Sequence, residues 1–138
     1  MKAVFLGTGT SHGVPMIGCN CAVCRSNDWK NHRRRCSLYV VAGGTHLIFD
    51  TPPDFRDQVL RFGVERVDAV FLTHIHADHI FGFDDVRRFS DLQKSHIPVY
   101  GSPETMRAMR IKFDYVENAS HSFGGVPRVH FIPLPLIS

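Results

Sequence analysis

The chain has 138 residues, of which 43% are hydrophobic and 21% charged, and its formal net charge is +3. This size and composition predict one folded domain and exclude a disordered or fibrous protein. No run of about 18 apolar residues is present, and the first segment, MKAVFLGTGTSHG, suits a strand better than a signal peptide. We therefore expect no membrane partner and a cytoplasmic location.

Strand and helix signals alternate along the chain, which predicts an α/β fold. The first strand is expected at residues 2–6, before a Gly-Thr-Gly turn. Two further strands are expected at 37–42 and 46–50, because the glycines between them, Gly43 and Gly44, are typical of a hairpin.

The first helix is expected within TPPDFRDQVLRFG. Thr51 is the expected cap, and the two prolines after it would be tolerated in the first turn. Phe55, Val59 and Phe62 recur at the spacing of one helical face, and Gly63 supplies a stop. The pattern predicts an amphipathic helix.

The second half continues the alternation. A mostly apolar strand is expected at 67–72, a helix around 84–92, a strand at 97–101, and a helix that Ser102 caps. Residues 124–138 are extended and rich in proline. A sheet this apolar needs cover on both faces, and the predicted helices cover one. This favours about one half of a larger fold.

A basic segment, KNHRRRC, contains Lys30, His32, Arg33, Arg34 and Arg35. It is either a solvated loop or a basic rim that attracts anionic substrates such as phosphates. No basic helix with interleaved aromatic residues accompanies it, so a nucleic-acid partner is not expected.

The motif THIHADHI follows the strand at 67–72 and supplies His74, His76, Asp78 and His79. On extended backbone His74 and His76 point to one side, so both imidazoles can reach one metal ion. Asp78 and His79 follow a turn and can bind a second ion. Imidazole and carboxylate accept zinc, iron or manganese. The alternative is a histidine-rich surface loop.

Three cysteines, Cys19, Cys21 and Cys24, have the spacing C-x-C-x2-C, and Cys36 follows. We call residues 19–36 the cysteine knuckle. In a chain expected in the cytoplasm this spacing favours a structural zinc ion over disulfides, although ordinary buried cysteines are the alternative. Cys36 or a histidine from outside this segment would be the fourth ligand.

The spacing H-x-H-x-D-H after an apolar strand resembles the metallo-β-lactamase superfamily. The resemblance implies an αβ/βα sandwich, with His74 and His76 on one metal and Asp78 and His79 on a second. In this comparison IFDTPP stands where the family has a strand-end aspartate, so Asp50 would orient the site. Asp50 and Asp78 are the candidate catalytic residues.

Together with GTGTSHGVP and the cysteine knuckle, the motif resembles the branch that contains the phosphoribosyl cyclic phosphodiesterases. This resemblance covers residues 2–100. It implies a hydrolase for a small cyclic phosphate diester, with two zinc or manganese ions at the active site and one structural zinc. His12, in the glycine-rich turn, is a candidate substrate contact. The tRNA 3′-processing ribonucleases share the histidine motif and are an alternative.

The resemblance also predicts what this chain lacks. None of its other histidines lies in the family's later ligand motifs, so residues 1–138 would form the N-terminal part of such a domain. A third possibility is therefore a catalytically incomplete interaction module stabilised by zinc. Such a chain would pair through its exposed apolar surface with a second copy or with the missing half of its own domain.

Overall fold

Six strands form one mixed sheet in this computed structural model, which describes residues 1–118 and 125–135. The strands lie side by side in chain order. β1 to β3 are antiparallel neighbours, and β3 to β6 are parallel. The α/β prediction is confirmed. Of the extended segment expected at 124–138, residue 124 and residues 136–138 lie outside the described residues. The strand bounds are β1 Lys2–Gly7, β2 Ser37–Ala42, β3 Thr45–Phe49, β4 Ala69–Phe71, β5 Ile97–Gly101 and β6 Val129–Pro133.

Four α-helices lie in the described part of the chain, and none of them is long and apolar enough to cross a membrane. Ser102 caps the last helix as expected, because its hydroxyl accepts a hydrogen bond from the Thr105 N–H at 3.1 Å. The helices are α1 Phe55–Phe62, α2 Ala77–Ile80, α3 Val86–Gln93 and α4 Pro103–Lys112.

The hydrophobic core lies on one face of the sheet. Ile48, Val70 and Val99 occupy neighbouring positions of β3, β4 and β5 and are fully buried. Residues one position along each strand point to the other face. There Phe71 stacks between Phe49 and Tyr100, with ring centroids 5.0 Å apart on each side, and all three remain partly exposed. The described helices therefore cover one face, and an aromatic row lines the other.

The expected start of the first helix is wrong. The helix begins at Phe55, after Asp54, and not at Thr51. The physical reason is that Thr51 and Pro52 each precede a proline, which disfavours helical backbone at both positions. Thr51 is instead fully buried, and its N–H donates to the His79 carbonyl at 2.7 Å. Phe62, expected on the apolar face, is 43% exposed.

Two other elements differ in length from the expectation. The strand predicted over 67–72 is regular only across Ala69–Phe71. Next to it the Asp68 N–H still donates to the His46 carbonyl at 2.7 Å, but the His46 N–H donates to the Asp68 carboxylate at 2.8 Å instead of to a backbone carbonyl. The helix predicted around 84–92 becomes the 3-10 turn Phe83–Asp85 followed by α3.

Candidate metal centre

The histidine motif lies where two parallel strands end. Asp50 directly follows β3, and residues 72–76 follow β4. Parallel strands place their carboxyl ends at one edge of the sheet, which is the usual position of ligand sites in such folds. The Asp50 N–H donates to the Phe71 carbonyl at 2.9 Å, so β3 and β4 hold the two segments in register.

Asp50 holds this edge together. It is 3% exposed and adopts left-handed backbone with φ of 62°, a conformation that aspartate tolerates better than most residues. Its Oδ1 accepts the Thr73 N–H, and its Oδ2 accepts the Thr73 hydroxyl, both at 2.8 Å. The same Oδ2 lies 2.7 Å from His79 Nδ1. Because a carboxylate only accepts, Nδ1 carries the proton and His79 Nε2 is left as the ligand atom.

We call His74, His76, Asp78 and His79 the histidine cluster. The ring centroid of His74 lies 4.6 Å from that of His76 and 4.1 Å from that of His79. Asp78 Oδ2 lies 3.3 Å from His79 Nε2. The structure thus brings together all four side chains that the motif singled out.

Two features prepare His74 as a ligand. Its Nδ1 lies 3.0 Å from the Thr73 hydroxyl, which leaves Nε2 free to point elsewhere. Burial, followed by the neighbouring His79 and His76, lowers the pKa of His74, so the neutral ring is favoured at physiological pH. Neutral imidazole is the form that binds metals. Sequence reasoning missed Thr73; a hydroxyl residue between the strand end and the first histidine was the available signal.

The donor set of the histidine cluster fits a divalent metal ion. Three imidazoles and one carboxylate suit zinc or manganese, and Asp50 supplies the outer hydrogen bond that a ligating histidine requires. The donor atoms of the cluster are not gathered into one compact group, however. Within residues 1–118 and 125–135, only one group of three or more His, Cys, Asp or Glu side chains has all its donor atoms within 4.8 Å, and it is the cysteine group below.

That group consists of Cys19, Cys21 and Cys24, which we call the cysteine triad. All three are free thiols. The Cys24 N–H donates to Cys21 Sγ and the Met16 N–H to Cys24 Sγ, each at 3.4 Å. The Cys24 N–H is the main cause that lowers the pKa of Cys21 to about 7, and thiolate is the form that binds zinc. Cys36 lies outside the triad.

The remaining candidates are His12 and the basic segment. His12 is exposed in the turn at 10–13, and its contact with substrate stays a prediction. The basic segment is partly neutralised, because Arg34 pairs with Asp57 and Arg35 with Asp54, both at 3.0 Å. Only part of it is therefore available as a rim for anionic substrates.

The mixed sheet, the strand-end aspartate and the histidine cluster together are typical of the metallo-β-lactamase fold. A model of the beta-lactamase superfamily domain matches residues 45–135. The chain therefore belongs to the metallo-β-lactamase superfamily.

Proteins similar to this chain are named for different activities. The crystal structure of a diphosphatase from the PhnP family is 40% identical, with a TM-score of 0.85 over 96% of this chain and 50% of that one. An octanoyltransferase of Porphyromonas gingivalis is 41% identical over 84% of this chain and 23% of its own length. A ribonuclease Z of Myxococcus xanthus is 36% identical over 56% of this chain and 26% of its own. The chain spans about half of the matched structure and a smaller share of the two curated relatives.

Proposed function

We propose that this chain forms part of a metal-dependent hydrolase that cleaves small phosphate diesters, with cyclic diesters as the substrate class. The observation that carries the proposal is the Asp50 carboxylate, which is buried and bonded to both Thr73 and His79 beneath the histidine cluster. A buried carboxylate at this position has a clear use in orienting a ligand, because its charge is otherwise costly to bury.

The chain's own residues have separate tasks in this proposal. Asp50 keeps the proton of His79 on Nδ1. The Thr73 hydroxyl orients the His74 ring through its contact with Nδ1. His76 and Asp78 complete the set of four candidate ligands. Divalent ions held there, zinc or manganese, would neutralise the charge of a phosphate diester and lower the pKa of a water molecule.

The comparisons support phosphate chemistry. A diphosphatase and a ribonuclease both act on phosphate-linked substrates, and they are among the proteins to which this chain is similar. The cysteine triad would hold one structural zinc ion. Its role would be to fix the first turn of the cysteine knuckle, where the three thiols lie.

The test is the metal content and the hydrolytic activity of the full chain. Elemental mass spectrometry gives metal ions per chain, and a five-membered cyclic phosphate diester and bis-p-nitrophenyl phosphate serve as substrates. We expect more than one metal per chain and hydrolysis that His76→Ala abolishes. His96→Ala, an exposed histidine before β5, is the matched control and should retain activity.

A second candidate is a zinc-stabilised interaction module without turnover. The specific observation in its favour is that the triad, and not the histidine cluster, has all its donor atoms close together. This candidate predicts one metal ion per chain, lost in Cys21→Ser and retained in His76→Ala, and no hydrolysis with either metal. That result would overturn the hydrolase proposal for this chain.

A further inference from the structure

A concave site apart from the histidine cluster lies along the outer edge of β1, the strand at one end of the sheet. Its volume is about 400 Å³, within the range of small-molecule pockets. We call it the edge groove. Three segments line it: residues 5–8 of β1 and the turn after it, Trp29 with the basic residues 30 and 32–34 that follow, and the end of α1 at Arg61 and Phe62.

The charge of the edge groove is strongly one-sided. Its lining includes Lys30, His32, Arg33, Arg34 and Arg61 and contains no acidic side chain. Arg34 is the one of these that pairs with a carboxylate outside the groove. Lys30, Arg33 and Arg61 form no ion pair within residues 1–118 and 125–135. Concentrated positive charge in a concave surface attracts phosphate groups.

Arg33 also has a fixed position. One guanidinium nitrogen donates to the Thr8 hydroxyl at 2.9 Å, which orients the group while leaving its other donors available. The main chain of the same segment is tied to the glycine-rich turn. Val14 and Arg33 exchange two backbone hydrogen bonds of 2.8 Å, and the Gly9 N–H donates to the Arg34 carbonyl at 2.7 Å. The wall of the groove is therefore preformed.

Exposed aromatic rings accompany these cations. Trp29 is 66% exposed, Phe5 67% and Phe62 43%. The Arg61 guanidinium lies over the Phe62 ring, 5.8 Å from its centroid. Flat rings next to arginine and lysine are the combination that binds nucleotides, because a base stacks on the ring while the cations hold the phosphate. An inorganic anion would not use the rings.

The edge groove is distinct from the histidine cluster. The two sites share no residue. In the sheet, β1 and β4 are separated by β2 and β3, which at about 4.8 Å per strand puts their axes about 14 Å apart. A ligand in the groove is therefore not a ligand of the proposed metal ions.

We propose that the edge groove is a nucleotide-binding site, in which the base stacks on Trp29 and the phosphate contacts Lys30, Arg33 and Arg61. The proposal concerns a nucleoside monophosphate, since the volume of the groove suits a molecule of that size. It does not depend on hydrolysis at the histidine cluster.

The chain itself contains the reporter for a direct test, because Trp29 is its one tryptophan. Trp fluorescence of the full chain is titrated with adenosine 5′-monophosphate, adenosine and ribose 5-phosphate, with excitation at wavelengths that the base does not absorb. We expect saturable quenching by the monophosphate. Adenosine and ribose 5-phosphate should each bind at least about tenfold more weakly, because each lacks one of the two contacts.

Four variants locate the binding. Lys30→Gln and Arg61→Gln should each weaken the binding of the monophosphate about fivefold or more. Arg107→Gln, on α4 with a side chain 69% exposed, is the matched control and should leave it unchanged. His74→Ala should also leave it unchanged. Circular dichroism establishes that each variant is folded.

Three results would overturn the proposal: no saturable quenching by the monophosphate, equal binding of ribose 5-phosphate, or equal losses in Arg61→Gln and Arg107→Gln. Loss of quenching in His74→Ala would place the ligand at the histidine cluster and overturn it as well. Because hydrolysis is not measured, a failure of the hydrolase proposal leaves this result unaffected.

Discussion

Asp50 and His79 are 29 positions apart in the chain, yet Asp50 Oδ2 lies 2.7 Å from His79 Nδ1. The backbone repeats the connection, because the residue after Asp50 donates its N–H to the His79 carbonyl at 2.7 Å. The end of β3 and the helix α2 are thus joined by one buried carboxylate and one main-chain hydrogen bond. This relationship determines which nitrogen of His79 is available to a metal ion.

The first prediction concerns the charge of Asp50. Asp50→Asn keeps the size of the side chain and a residue type that tolerates left-handed backbone. An amide nitrogen facing His79 would donate to Nδ1 and move the ring proton to Nε2, the ligand atom. We expect the affinity of the histidine cluster for zinc to fall by about 10- to 100-fold. A competition titration with a zinc chelator measures it.

The control for this variant is Asp57→Asn, which removes an aspartate whose side chain is 62% exposed and pairs with Arg34. It should leave zinc affinity unchanged. Equal affinities in Asp50→Asn and the unmodified chain would show that Asp50 has no part in ligand orientation.

The strands and the histidine cluster were predictable because their signals are local. Apolar runs between glycines identify β1, β2 and β3, and the fixed spacing from His74 to His79 makes their proximity an almost direct consequence of the sequence. The partner of His79 was predictable only through the resemblance to a family. From local pattern alone, Asp50 is one strand-end aspartate among several acidic residues.

The features that could not be predicted depend on contacts between distant segments. The start of α1 follows from the buried turn at Thr51, which local helix signals do not contain. Likewise, the basic segment reads as a uniform run of charge. Only the fold shows that Arg34 pairs with an aspartate of α1 and Arg35 with the aspartate just before that helix. Lys30 and Arg33 line the edge groove beside Trp29.

The second prediction concerns Gly82, which packs closely against the turn that follows Asp50. A Cβ on Gly82 would lie 2.0 Å from the Pro52 carbonyl oxygen and 2.8 Å from Phe55 Cβ. Backbone atoms cannot move aside easily, so Gly82→Ala should displace the turn that carries Asp50. We expect the free energy of unfolding to fall by about 3 kcal/mol, with weaker zinc binding. Chemical denaturation and the chelator titration measure the two effects.

Gly43→Ala is the matched control for this substitution. Gly43 has φ of 57° in the β2–β3 hairpin, and nothing lies within 4 Å of the added carbon. Its cost is backbone strain alone, about 1 kcal/mol, and zinc affinity should not change. If the two variants lost equal stability, the contact with Pro52 would have no special cost.

The third prediction is a pH dependence. Burial, and then the neighbouring Asp84, raises the pKa of Asp85. A raised pKa means that the ionised form is less favourable in the folded chain than in the unfolded one. Stability therefore falls as pH rises from about 4, the unfolded pKa, through the folded pKa. Asp85→Asn should be more stable than the unmodified chain at pH 7, by less than about 1 kcal/mol because solvent screens the charge.

The same variant should show no gain at about pH 3, where Asp85 is protonated in both states. Denaturation curves at the two pH values measure the difference. Asp91→Asn, which removes a carboxylate 3.4 Å from Arg128, is the comparison and should give no gain at pH 7. A gain for Asp85→Asn that is equal at both pH values would show that the charge is not its cause.

The last prediction counts thiols. The chain has four cysteines, and the structure separates the cysteine triad from Cys36, which is exposed. If the triad holds zinc, a thiol reagent should react rapidly with one thiol per chain, and with four after a strong chelator is added. Thiolates bound to zinc react slowly because their electron pairs are engaged.

The control is Cys36→Ser, which should show no rapidly reacting thiol before the chelator is added and three reacting thiols after it. Rapid reaction of all four thiols in the zinc-loaded chain would contradict zinc binding at the triad. Three slow thiols in Cys36→Ser would also show that Cys36 is not the fourth ligand.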